Sequence, residues 1–261
     1  MIQMDIVLGN PKGNMEKAIP LIEKAAREGS RVVLLPELWT TGYSYENLRD
    51  LAESLGGKTT SAVSDAASNN DVYVIGSIPR IKDNELYNTC VVAGPRGVVG
   101  HYDKVHLFRP IGEDNFFSAG NSYSICATEL GPIGTALCYD IRFPELCRSI
   151  AIAGAKILFV PAEWPHPRLN HWRSLLIARA IENQMFVAGC NRVGMDKINK
   201  YFGHSMIVDP AGEVLVEGNE CESLLTGGLN LENVDRIRSL IPCFEDRNAA
   251  AYMNRVDFKE A

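Results

Sequence analysis

The order of apolar segments along this chain of 261 residues constrains its fold more than any single residue does. Residues 2–7 read as a short apolar strand, and residues 14–29 carry Met15, Ala18, Ile22 and Ala25 at helical spacing, closed by Gly29. RVVLLPE (31–37) is a continuous apolar run of the kind buried on both faces. A helix over 59–70 and a strand over 71–79 follow. Two hairpins then break the alternation. Segment 86–104 turns at Gly94-Pro95-Arg96-Gly97, and segment 122–138 turns near Gly131-Pro132. Alternation resumes with helix 143–154, strand 156–162, helix 168–184 and strand 185–191, and strands near 201–209, 212–217 and 222–230 are expected to finish the sheet. Inserted hairpins fit two packed sheets with helices outside better than a simple doubly wound sheet. No repeat or Gly/Ser/Pro-rich linker divides the sequence, so one domain over 1–261 is expected.

Composition narrows the function classes. Lys plus Arg total 26 against 32 Asp plus Glu, a net charge of −6, with no basic stripe to hold nucleic acid or an anionic membrane. Apolar runs such as 32–35 and 157–160 are far too short to span a bilayer, and the amino terminus lacks a signal-peptide pattern. Seven cysteines occur without a Cys-x-x-Cys, and no His stands at a zinc-site spacing. These features predict a cytoplasmic protein without a metal, most of whose thiols are inert and buried.

Three unusual residues fall just past strands. Glu37 ends the run VVLLP, Lys104 follows HYD, and Cys138 ends GTAL. Strand ends on one edge of a sheet converge, so an acid, a base and a thiol could share a cleft. Taken singly, each has an ordinary explanation as a turn cap, a solvated lysine or core filler. Together they suit one chemistry. A thiol of ordinary pKa, about 8.5, is only a few per cent thiolate at neutral pH and needs a base during attack. Glu37 would be that base if burial beside the thiol raises its pKa. Lys104 and the backbone N–H of Tyr139 would hold a tetrahedral oxyanion. A Cys–His pair competes with this reading, since His101, His106, His166, His171 and His204 are all available.

The segments LLPELWTTGY, YDKVHLF and ALCYDIRFPE resemble the three catalytic motifs of the nitrilase superfamily of carbon–nitrogen hydrolases, in that family's order. PAEWP (161–165), ARAIENQ (178–184), NRVG (191–194) and GHSMIVDPAGEV (203–214) extend the resemblance over nearly the whole chain. It implies an α/β fold of four layers, an α-β-β-α sandwich, with a Glu–Lys–Cys triad at Glu37, Lys104 and Cys138. The family's second glutamate corresponds to Glu113 in HLFRPIGED. The stretch from PAEWP to ARAIENQ resembles the omega-amidase branch, which cleaves terminal amides of 2-oxo acids. The resemblance further implies a small-molecule amide substrate, a homodimer, and no organic cofactor. The same triad also serves nitrilases, carbamoylases and aliphatic amidases, and a redox-sensing thiol protein is the non-catalytic alternative.

The remaining candidates each carry two readings. Arg142 would anchor a substrate carboxylate, or form an ion pair with Glu145 or Asp140. Arg168 and Arg173 are further cations near the motif ends. Tyr43, Trp164 and His166 would line the acyl pocket, or simply pack. Arg179, Glu182 and Asn183, on a helix whose apolar side carries Leu169, Trp172, Leu176 and Ala180, read as a buried structural network, and Cys147 as helix packing.

Overall fold

The computed structural model describes residues 1–253. In chain order, β1 (Ile2–Gln3), α1 (Pro11–Arg27), β2 (Val32–Leu34), α2 (Leu48–Leu51) and α3 (Lys58–Asn70) lead into the strands β3 (Tyr73–Lys82), β4 (Glu85–Gly94) and β5 (Gly97–Asp103). Then come β6 (Ile125–Thr128), β7 (Gly131–Thr135), α4 (Pro144–Ile152), β8 (Ile157–Ala162), α5 (Leu169–Asn183) and β9 (Phe186–Asn191). Short strands β10 (Val193–Met195), β11 (Lys200–Phe202), β12 (Met206–Val208), β13 (Val214–Glu217) and β14 (Ser223–Leu224) precede α6 (Glu232–Leu240) and α7 (Ala249–Met253).

Two sheets form the centre. One has the order β2-β3-β4-β5, the other β13-β12-β9-β8-β7-β6. Period-two alternation divides the first sheet cleanly. Tyr73, Ile75, Cys90 and Val92 face the second sheet, whereas Val74, Val91 and Ala93 pack among Ala18, Ile22, Val63 and Ala67 of α1 and α3. The strands β7, β8 and β9 are parallel and apolar on both faces, as expected where α4 and α5 cover the outside. Helix α5 sits close because Gly189 leaves room: a Cβ there would come within 2.7 Å of the Trp172 ring. The result is the helix–sheet–sheet–helix sandwich expected from the inserted hairpins.

The edges of the fold differ from the sequence reading. The first strand is only Ile2–Gln3, and it pairs with Leu224 and Ser223 of β14, so residues 222–230 do not finish the main sheet. The 201–209 segment divides into β11 and β12, with β11 forming a separate hairpin with β10. The second hairpin turns at Glu129–Leu130, just before the Gly131-Pro132 expected to turn it. Helices α6 and α7 were not foreseen, because both are short and largely exposed.

Candidate active site

The strands β2, β5, β7 and β8 all end at one edge of the sandwich, and Glu37, Lys104, Cys138 and Glu163 follow them there. All four are buried. The Lys104 ammonium lies 2.7 Å from Glu37 Oε1 and 2.9 and 2.8 Å from the two oxygens of Glu113. Its burial alone would lower its pKa, but the charges of Glu113 and Glu37 outweigh that and hold it well above the ordinary lysine value. It is therefore a permanent cation.

Glu37 is fixed by four donors. Oε1 accepts from Lys104, from Asn88 Nδ2 at 2.9 Å and from the Tyr43 hydroxyl at 2.8 Å, and Oε2 accepts from the Glu163 backbone N–H at 3.0 Å. Glu113 accepts from the same Asn88 and Tyr43, each at 3.1 Å, and from the Phe108 N–H at 2.6 Å. Tyr43 thus belongs to the acid–lysine cluster rather than to packing alone. Burial, then Glu113 and Glu37, push its pKa well up, so it remains a neutral donor.

Cys138 opens a 3-10 turn over Cys138–Arg142 with φ +43°. A left-handed residue bearing a Cβ costs about 1–3 kcal/mol and persists only where its surroundings enforce it. Here Asp140 does so: its buried carboxylate accepts from the Leu137 N–H at 2.8 Å, the Tyr102 hydroxyl at 2.8 Å and the His106 N–H at 3.1 Å. The Tyr139 N–H donates to no acceptor among the described residues and stands next to the thiol. Burial, followed by the charge of Glu37, pushes the Cys138 thiol well above its ordinary pKa. The thiol is protonated at rest, so attack requires a base at that moment.

No histidine fills that role. His106 stacks on Phe143 at 3.6 Å and holds Asp140, and His204 lies 2.8 Å from Glu217. His171 contacts Arg142, and His101 sits on the edge strand β5. His166 was expected in the acyl pocket but packs edge-on against Phe202, with its Nε2 3.6 Å from Glu220.

Cys138 lines a small pocket with Phe108, Arg142, Glu163, Trp164 and Arg168. Phe108 and Arg168 also border an outer hollow of about 710 Å³ that Tyr43 and Tyr45 line from another side. The Arg142 guanidinium lies over the Trp164 ring at 4.7 Å, and that of Arg168 over Phe108 at 5.6 Å. Neither expected ion pair of Arg142 forms, because Asp140 points inward to the turn and Arg142 reaches His171 at 3.2 Å. Arg173 is withdrawn from the candidate cations by a two-pronged contact with Glu217 at 2.8 and 2.9 Å. The Arg179 network does form, with Glu182 at 2.6 Å and the Ile141 carbonyl at 2.8 Å. Asn88, Asp140 and Glu163 were missed as site residues. Glu163, a charge directly after the apolar run ILFVPA, and Asp140, a charge two residues past Cys138, left local signals.

A buried thiol, two carboxylates and a fixed ammonium converge at the strand ends of an α-β-β-α sandwich. The chain belongs to the carbon-nitrogen hydrolase family, whose model matches residues 1–239. It is 42% identical over 247 residues to the 2-oxoglutaramate amidase of Bacillus subtilis (strain 168), covering 94% of this chain and 95% of that protein. It is 34% identical over 250 residues to the omega-amidase NIT2 of Mus musculus, covering 92% and 91%. The crystal structure of XC1258 from Xanthomonas campestris, a CN-hydrolase superfamily protein with an arsenic adduct in its active site, superposes with a TM-score of 0.90 at 31% identity, covering 95% of this chain and 96% of that one. The chain is accordingly an enzyme that hydrolyses a carbon–nitrogen bond of a small amide.

Proposed function

We propose that this chain is a single-domain omega-amidase that cleaves the terminal amide of a 2-oxo acid through a thioester on Cys138. The observation that carries the substrate is the pair Arg142 and Arg168 beside the thiol. Neither has a carboxylate partner among the described residues. Burial depresses the pKa of Arg142, and the charge of Arg168 depresses it further. Two like charges at one pocket favour an anionic ligand, here the far carboxylate of the substrate. The similarity to the Bacillus subtilis 2-oxoglutaramate amidase points the same way.

In this reading Sγ of Cys138 attacks the amide carbon while its proton passes to Glu37. The Tyr139 N–H and the Lys104 ammonium stabilise the oxyanion, an effect worth about 10²–10³ in rate per donor in comparable sites. Glu37 then gives its proton to the departing nitrogen, ammonia leaves, and the acyl group remains on sulfur. Water attacks the thioester with Glu37 again taking a proton, and Glu113, anchored to Lys104, keeps that cation and the water in line. The acid departs and the thiol regains its proton. A thiol whose pKa is raised by burial is a poor oxidant sensor, since sensors need an exposed, stabilised thiolate.

The test is an ammonia-release screen of 2-oxoglutaramate, glutamine, simple aliphatic amides, nitriles and N-carbamoyl amino acids. The expected result is a kcat/KM for 2-oxoglutaramate at least tenfold above every other compound, on the order of what a buried charge contact discriminates. Equal rates with aliphatic amides would replace the omega-amidase by a general amidase. A homodimer in the cytoplasm belongs to the same reading. The exposed Leu240 and Ile241 at the end of α6 are apolar surface that such an association would cover, and sedimentation analysis tests it.

A further inference from the structure

Glu163 is a fully buried carboxylate in the pocket wall for which the reaction above has no use. Its Oε2 meets Arg192 Nη1 at 3.0 Å, and its Oε1 has no hydrogen-bond partner among the described residues. Arg192 is itself held by the Ile6 carbonyl at 2.6 Å and by Asp5 at 3.2 Å. The Glu163 peptide N–H is the one donor to Glu37 Oε2. The buried set therefore holds three carboxylates, Glu37, Glu113 and Glu163, against two cations, Lys104 and Arg192. One negative charge is in excess, and the three acids are unequally supported. Glu37 and Glu113 each accept from Lys104, Asn88 and Tyr43 and from a backbone N–H, whereas Glu163 has the Arg192 contact alone.

We propose that Glu163 is a positioning residue that sets the proton affinity of Glu37, strengthening the catalytic base when its own carboxyl is ionised. Burial raises the Glu163 pKa to about 7, Arg192 opposes the shift, and Glu37 and Asp196 add to it. The other groups around it are Tyr201, over which the Arg192 guanidinium lies at 4.4 Å, and Tyr43 after Gly42, both held neutral by burial. Glu163 and Glu37 repel each other, and the Glu163 N–H donates directly to Glu37 Oε2, so the acid sits on the base more closely than on the thiol. A negative Glu163 thus favours the state in which the proton has left Cys138 for Glu37. Protonation of Glu163 removes that bias, so base strength rises as the pH passes neutrality.

The inference rests on Glu37 acting as the base, and the test keeps the two apart. Iodoacetamide alkylation of Cys138, followed by peptide-resolved mass spectrometry, reads thiol activation without any choice of amide substrate. Glu163→Gln copies the protonated acid. The ratio of wild-type to variant alkylation rate should be near one at acid pH and should rise roughly three- to tenfold through neutrality, the effect of about one unit in base strength. kcat/KM for amide hydrolysis should follow the same curve. A ratio that is constant with pH, whatever its size, shows a structural role and overturns the proposal. Should Glu163→Gln not fold, Glu163→Asp keeps the charge but retracts from Arg192, so its rise should move to higher pH, and an unmoved rise overturns the proposal. Cys138 alkylation that is unchanged in Glu37→Gln would instead overturn the role of Glu37.

Discussion

Replacing Asp140 by Ala should cost more stability than any other single change at the turn that presents the nucleophile. Four donors converge on this carboxylate: the Leu137 and His106 N–H groups, the Tyr102 hydroxyl and His106 Nδ1. His106 is only half-buried and can turn to water, so two losses matter. The Leu137 N–H and the Tyr102 O–H lie in the interior, and each buried donor left unsatisfied costs about 1–3 kcal/mol. The sum is about 4 kcal/mol. At about 2–4 °C per kcal/mol for a chain of this size, the melting temperature should fall by roughly 10 °C. Activity should fall as well, because the left-handed Cys138 relaxes once its turn is released. Both interior donors meet Oδ2, so Asp140→Asn with its amide oxygen in that place keeps them and should lose clearly less stability. Thermal and urea unfolding of the two variants beside the wild type measure the difference. A loss below about 1 kcal/mol in Asp140→Ala would refute the idea that this carboxylate holds the turn, because it falls within the range of an ordinary surface substitution.

Cys138→Ala should abolish hydrolysis while leaving the melting temperature nearly unchanged, and ammonia release with calorimetry checks both; substantial residual turnover would remove Cys138 as the nucleophile. Glu113→Gln should slow turnover by about 10² while still allowing Cys138 to be acylated by a reactive ester, which rapid-quench mass spectrometry would detect. Wild-type turnover in that variant would return Glu113 to an ordinary loop carboxylate. Glu163 links stability to pH with a definite sign. Its pKa is raised on folding from 4.5 to about 7, so its favourable contribution is complete below the lower value and is lost as the pH rises through the upper one. The stability difference between wild type and Glu163→Gln should therefore shift by about 3 kcal/mol against the wild type from acid to alkaline pH. Denaturant titrations showing a constant difference would contradict it.

The convergence of Glu37, Lys104 and Cys138 could be read from the sequence because each follows an apolar strand, and strand ends converge by rule. Asn88 could not: it lies within β4, where alternation says which face a side chain takes but not that an amide will bridge two carboxylates from other segments. Asp140 was visible as a charge beside the thiol, but its hydrogen bonds to Tyr102 and His106 come from distant segments, so sequence neighbours such as Arg142 looked like the natural partners. The pairing of Ile2 with Leu224 was hidden for the same reason, since nothing local links residues so far apart. Helix α6 buries only Val234 over about two and a half turns, so its amphipathic pattern is real but short.

The two sheets carry different reagents. Glu37, Lys104 and Asn88 ride on one layer, and Cys138 and Glu163 on the other, with the Glu163 N–H to Glu37 bond stitching them together. Catalytic alignment is therefore a measure of shear between layers. A slip of about 1 Å at the reacting atoms can cost about 10² in rate, though it leaves secondary structure intact. Core substitutions at Val92 or Ile157, on the facing sides of the two sheets, act away from the thiol and should still detune it. Under pressure or mild denaturant, turnover should fade before circular dichroism does, which makes the enzyme its own gauge of interlayer registry.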